Sequence, residues 1–188
     1  MKPKKEAKKE TIGSKHKPMN DLTAHYWNSI NYFVGLIKSS ELKAGLILSF
    51  YGIILNFMYQ NTEESGKYFS DNLSLKILLG LWFVCCLISI YYSIRSFIPK
   101  IENKYPTNIF FFGDIISKYG NIEEFAQTFH KTSLNEEESY KQLGEQIFIN
   151  AKIANMKFKY VSLSFRFMAI GLILLLMTIL NYFLVASI

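Results

Sequence analysis

Six polar side chains fall within a short stretch that the pattern assigns to a single helix: Gln146, Asn150, Lys152, Asn155, Lys157 and Lys159. Carboxamides and ammonium groups arranged this way can hold a phosphate and a base edge, the ammonium as charge and the carboxamides as donor–acceptor pairs. Solvated helix surface is the plainer account of the same residues. Two other clusters stand out. Glu41 and Lys43 lie in the run Glu41–Leu42–Lys43–Ala44–Gly45, where polar sequence gives way to apolar sequence. There they suit interfacial anchoring, or a polar contact to residues 95–166 or to a ligand. Phe110–Phe111–Phe112–Gly113–Asp114 supplies aromatic faces that can wedge short helices in place or stack a nucleobase.

Catalytic sets are missing from the pattern. The histidines are His16, His25 and His130, with no H-x-x-x-H and no cysteine at metal-ligand spacing. No P-loop, GxGxxG or GxSxG occurs. The carboxylates Glu136–Glu138 open a helix, where they suit the positive end of its dipole better than acid–base chemistry. The expectation is a protein that is not an enzyme and needs no metal or cofactor.

The elements that must position these residues are dominated by three apolar stretches, Ala44–Gln60, Ile77–Ile94 and Phe167–Ala186. None contains Asp, Glu, Lys or Arg. A hydrocarbon core about 30 Å thick needs about 17–25 apolar residues in a helix, and each stretch meets that. The expected fold class is an all-α membrane protein: three transmembrane helices, two of them extended into a cytoplasmic helical stalk. The segments are a disordered basic tail over 1–19, a cytoplasmic helix over 20–43 and a first span over 44–60. An external loop over 61–73, a second span over 74–95, a cytoplasmic helical region over 96–166 and a third span over 167–186 follow.

Charge orients this arrangement. The chain is +6 overall; residues 1–43 carry nine Lys, and Arg95–Arg166 carries ten Lys and Arg. The 61–73 loop holds a single Lys, so the positive-inside bias puts the N-terminus and the 95–166 segment in the cytoplasm of a plasma (inner) membrane protein. No secretory signal is recognisable. The basic tail is suited to anionic lipid or to fixing topology. Cys85 and Cys86, adjacent within a span, read as small packing residues.

Capping signals refine the helices. One begins near Asn20 or Asp21 and runs to Gln60, with Leu22, Tyr26, Ile30, Phe33 and Ile37 on one face. Asn108–Lys118 and then a helix capped by Asn121 follow the second span. Ser133 with Glu136 forms a capping box for a helix of about 50 residues, roughly 80 Å long, ending near Ala186. Leu143, Ile147, Ala154, Phe158, Val161 and Phe165 mark its apolar seam, for which the 20–43 helix is the expected partner. Within the spans, Asn56 and Asn181 are candidates for interhelical hydrogen bonds that favour a homo-oligomer, or for lining an open pore.

The order of these motifs resembles the Pycsar effector transmembrane family of bacterial anti-phage operons. A Trp-bearing helix (His25–Tyr26–Trp27) leads to SELKAGLILSFYGIIL; FFGDI follows the second span, and EQIFINAKIANMKFKYV leads into the last. The likeness covers roughly residues 24–180, with matches at Lys43–Ala44–Gly45, Phe111–Phe112–Gly113, Gln146, Ile153 and Lys157. The family usually has Asp where this chain has Glu41. The resemblance implies an effector that senses a cyclic pyrimidine mononucleotide, cUMP or cCMP, and then impairs the inner membrane in abortive infection. With no β-rich nucleotide-binding domain in the pattern, the ligand would bind the cytoplasmic helices, between subunits. Glu41, Lys43, Phe112, Gln146, Asn150 and Lys157 are the residues expected to hold it. The implied partners are the nucleotide, the bilayer and further copies of the chain, with no nucleic-acid polymer. Two competing readings are a ligand-independent, holin-like toxin and a non-toxic membrane scaffold.

Overall fold

The computed structural model describes residues 19–60, 72–98 and 106–186. The expected basic tail, the external loop and the turn after Pro99 fall almost wholly outside the described residues. Among those described, five helices occur and no strand: α1 (Met19–Gln60), α2 (Leu73–Phe97), α3 (Phe112–Ser117), α4 (Ile122–Leu134) and α5 (Glu136–Ala186).

Three of the five, α1, α2 and α5, are long and apolar enough to cross a membrane. Their apolar stretches are exposed on every side not used for packing, with Ile53, Phe57, Ile77, Leu81, Leu180 and Phe183 all outward. In water such a surface would aggregate; in lipid it is the expected exterior. The chain is therefore an all-α, multi-pass membrane protein.

A seven-residue period sets the packing. On α5, Leu143, Asn150, Lys157, Ser164, Gly171 and Thr178 recur every seventh residue and all are buried. On α2 the buried series is Leu75, Trp82, Ser89 and Ser96, joined by Cys86 and Ser93. On α1 it is Ile30, Ser40, Ala44, Ile47 and Tyr51. Three helices that keep this period present a continuous seam to one another, as in coiled coils. α1 and α5 run in the same direction, since Thr23 meets Tyr140 and Glu41 meets Lys157. α2 runs against α5: Ser74 lies at Asn181, Ser89 at Ser164 and Ser96 at Lys157. Ile47, Tyr51, Trp82 and Cys86 form the apolar cluster at the middle of the spans. Gly171 lies against this cluster, where a Cβ would sit 3.6 Å from Cys85 Cβ and 3.8 Å from Trp82.

The seam differs from the sequence expectation at two positions. Phe158 and Phe165 are 58 % and 57 % exposed rather than buried. Each follows by one residue a member of the buried series, Lys157 and Ser164, and one residue is about 100° of helix rotation. The expected apolar positions were polar, and the aromatic rings turn outward.

The start of α5 also departs from expectation. Ser133 is not its cap, because α4 continues through Leu134. Asn135 instead serves both helices: its N–H donates to Thr132 O at 3.0 Å, and its Oδ1 accepts from Glu138 N at 3.2 Å. α1 begins at Met19, so Asn20 and Asp21 lie inside its first turn rather than capping it. α2 ends at Phe97, with Ile98 at φ −94° and ψ 99°, the extended backbone that a following proline favours.

The expected helix over 108–118 is confined to α3. Asn108–Phe111 forms a turn in which Asn108 Oδ1 accepts from Phe110 N at 2.9 Å. Gln142 of α5 anchors the turn, its backbone O accepting from Asn108 Nδ2 at 2.7 Å and its Oε1 from Ile109 N at 2.9 Å. Asp114 closes it by accepting from Asn108 N at 2.9 Å while pairing with Lys118. Phe110 sits edge-on between Trp27 and Phe129, and Phe111 is buried. The aromatic run thus docks the short helices onto the α1–α5 pair.

Candidate functional site: a buried cation joining three helices

Lys157 falls at a buried position of the α5 series and is only 4 % exposed. Its Nζ donates to Glu41 Oε1 of α1 at 2.7 Å and to the backbone O of Ser96 on α2 at 2.8 Å. One ammonium therefore ties together all three spanning helices. Ser96 lies one residue before the end of α2, where backbone carbonyls lack helical partners and carry the negative end of the dipole. The cation meets both a carboxylate and that helix terminus. An ammonium is tolerated in such a place only when it is paired and hydrogen-bonded. The Ser96 hydroxyl beside it is fully buried with no hydrogen-bond partner.

A polar ladder continues from this point into the spans. Ser93 Oγ lies 2.7 Å from Ser164 Oγ, and Ser164 Oγ donates to Ser89 O at 2.8 Å. Ser89 Oγ returns a bond to Ser164 O at 2.8 Å. In the other direction along α5, Gln146 Nε2 donates to Asn150 Oδ1 at 3.3 Å. Both residues are buried, and Gln146 Oε1 has no partner.

Of the residues expected to form a site, Glu41 and Lys157 are in direct contact, and Gln146 and Asn150 are bonded to each other on the same face of α5. Asn150 lies seven residues from Lys157, about 10 Å along the helix, and Gln146 about 16 Å. Lys43 and Phe112 are elsewhere. Lys43 is exposed, with Nζ 5.8 Å from the centroid of Phe158, a cation–π contact. It is two residues past Glu41 and so turns away from the Lys157 side. Phe112 is 73 % exposed on α3, which is anchored at the level of Gln142, about 22 Å along α5 from Lys157. Lys159 is likewise exposed.

Sequence reasoning missed Ser96, which contributes a backbone atom. Its signal was the spacing of Ser89, Ser93 and Ser96, a stripe of small polar residues on one face of an apolar helix.

Three spanning helices pinned at a buried ion pair define a multi-pass helical membrane protein. Comparison of sequences gives the family: residues 25–184 match the Pycsar effector protein domain, and the chain belongs to that family of anti-phage defence effectors. No curated protein and no solved structure shows a significant match.

Proposed function

We propose that this protein is a cyclic-nucleotide-activated effector of anti-phage defence, which senses its ligand through cytoplasmic helices and then impairs the inner membrane. Membership of the Pycsar effector family supports the defence role. The bias of Lys and Arg toward residues 1–43 and 95–166 supports a cytoplasmic N-terminus and stalk. The observation that carries the reading is the Lys157–Glu41–Ser96 contact, because it couples the stalk helices directly to all three spans.

The ligand acts by competition at this contact. A cyclic phosphate carries the same charge as the Glu41 carboxylate and can replace it on Lys157. The base edge then engages Gln146 and Asn150, where Gln146 Oε1 offers an unused acceptor. Lys43 adds charge at the rim, and Phe112 stacks on a ligand only from a neighbouring subunit. Replacing Glu41 frees α1 from α5 and biases the spans toward a second arrangement. A switch from 1:99 to 99:1 requires the ligand to favour that state by about 5.5 kcal/mol.

The test is calorimetric titration of the purified protein, in detergent or nanodiscs, with cUMP, cCMP and cAMP. Saturable binding of one nucleotide, weakened at least tenfold by Gln146→Ala or Asn150→Ala in variants whose helix content by circular dichroism matches the wild type, is expected. Absence of binding by all three sinks the reading.

A further inference from the structure

Lys159 and Arg166 are exposed on α5 with no carboxylate near them. Between Glu145 and the end of α5 the sequence holds no Asp or Glu, and α2 holds none at all. Glu41, the carboxylate that α1 brings to this level, is taken by Lys157. Lys159 and Arg166 each follow a member of the buried series, Lys157 or Ser164, by two residues. Two residues are about 200° of helix rotation, so both point away from α1 and α2. Ser162 shares their face, three residues from one and four from the other.

Their depth follows from the pin between the helices. Glu41, Ser96 and Lys157 share one level. Lys43 on α1, Arg95 on α2 and Lys159 on α5 each lie one or two residues, about 1.5–3 Å, beyond it toward the spans. Charge-free sequence begins directly past Lys43 on α1 and Arg95 on α2. Tyr92 and Tyr160, stacked with centroids 6.3 Å apart, add the amphipathic rings that favour a membrane interface. This plane of cations is the headgroup level of the leaflet on the stalk side. Arg166 lies seven residues past Lys159, about 10 Å deeper, and directly precedes the charge-free run Phe167–Ala186. Side chains on a helix lean toward its N-terminus, so Arg166 reaches back toward Ser162 and the headgroups. The same face then turns apolar. Ile170, Ile173 and Met177 follow at four- and three-residue steps and are 49 %, 55 % and 52 % exposed. They lie about 6, 10 and 16 Å below Arg166, comparable to one leaflet's half of a roughly 30 Å core.

We propose that this face of α5 binds one anionic phospholipid. Its phosphate sits between Lys159 and Arg166, within reach of the Ser162 hydroxyl, and an acyl chain lies along Ile170, Ile173 and Met177. A guanidinium suits a phosphodiester bidentately, and an ammonium adds a point charge. Two cations on a face without a carboxylate favour a headgroup of net negative charge over a zwitterionic one. The apolar stripe below them distinguishes a lipid from a soluble phosphate, which would meet the cations and leave that stripe uncovered. The site needs neither a nucleotide nor a leak.

The test is native mass spectrometry of the purified full chain in detergent, without nucleotide. It compares retention of dioleoylphosphatidylglycerol with that of dioleoylphosphatidylcholine, which has the same chains and a zwitterionic head. The wild type is expected to retain the anionic lipid at least tenfold better. Lys159→Gln/Arg166→Gln is expected to lose that preference. Lys38→Gln/Lys131→Gln, which removes the same charge from exposed positions on α1 and α4, is expected to keep it. Helix content by circular dichroism confirms that each variant is folded. Equal retention of the two lipids by the wild type overturns the proposal, as does a preference that survives in Lys159→Gln/Arg166→Gln. A preference lost in both pairs overturns it too, because net charge rather than this face then selects the lipid. Displacement of the lipid by equimolar glycerophosphoglycerol, the headgroup without chains, overturns the apolar half of the site and leaves a soluble-phosphate site instead. None of these readings involves a nucleotide or leakage, so they fail independently of the proposed function.

Discussion

Lys157 Nζ lies 2.7 Å from Glu41 Oε1 across 116 residues of chain, and its second bond goes to the C-terminal turn of α2. The contact is asymmetric in burial: the Lys157 side chain is 5 % exposed and that of Glu41 39 %. The ammonium is therefore the group that suffers when the pair is broken.

This asymmetry predicts an order among variants. Glu41→Ala leaves a buried ammonium with a single acceptor and destabilises the protein by about 3 kcal/mol, the low end for a broken buried pair because Glu41 is partly solvated. Lys157→Met replaces the cation by an apolar chain of similar length and costs less. Thermal melting in detergent compares them; Lys157→Met melting below Glu41→Ala contradicts the assignment.

The serine ladder makes a separate prediction. Ser164→Ala removes the acceptor of Ser93 and the donor to Ser89 O, leaving a buried hydroxyl without a partner. The expected loss is about 1–3 kcal/mol, read as a lowered denaturation midpoint. An unchanged midpoint would mean that the ladder is not formed in the membrane.

Gly113 tests the docking of the aromatic turn. A Cβ there would stand 2.7 Å from the Phe111 ring, which is itself buried and cannot swing clear freely. Gly113→Ala costs about 1–3 kcal/mol by overpacking and increases proteolysis of the α3–α4 region. Wild-type resistance to protease would contradict this packing.

Function separates the two lysines that the sequence singled out together. Lys157→Ala removes the phosphate-binding charge together with the pin between α1 and α5, so toxicity in cells no longer depends on the nucleotide. Lys43→Glu, at an exposed rim position, lowers ligand affinity by about tenfold or less, equal to roughly 1.4 kcal/mol. Nucleotide-dependent toxicity and binding intact in both variants would remove this site from the account.

The spans were legible because composition alone decides them: a charge-free stretch of sufficient length has one stable environment. Glu41 and Lys157 were each visible as polar residues at suggestive places, but their pairing depends on the register between two helices far apart in sequence. Phe158 and Phe165 misled because hydrophobicity marks the interior only where the exterior is water. In this chain the seven-residue series puts Lys157 and Ser164 inside and the aromatic rings outside. Ser96 left only the trace of the small-residue stripe it shares with Ser89 and Ser93, since it acts through a backbone oxygen that any residue would supply.

The most direct test of the central claim is leakage of a small dye from liposomes containing the purified protein, with and without cUMP, cCMP and cAMP. For the wild type the account predicts intact vesicles without nucleotide and leakage with one of the three; Lys157→Ala, in which α1 is already free of α5, leaks without dependence on nucleotide. In the wild type, constant leakage regardless of nucleotide, or none under any condition, would contradict it.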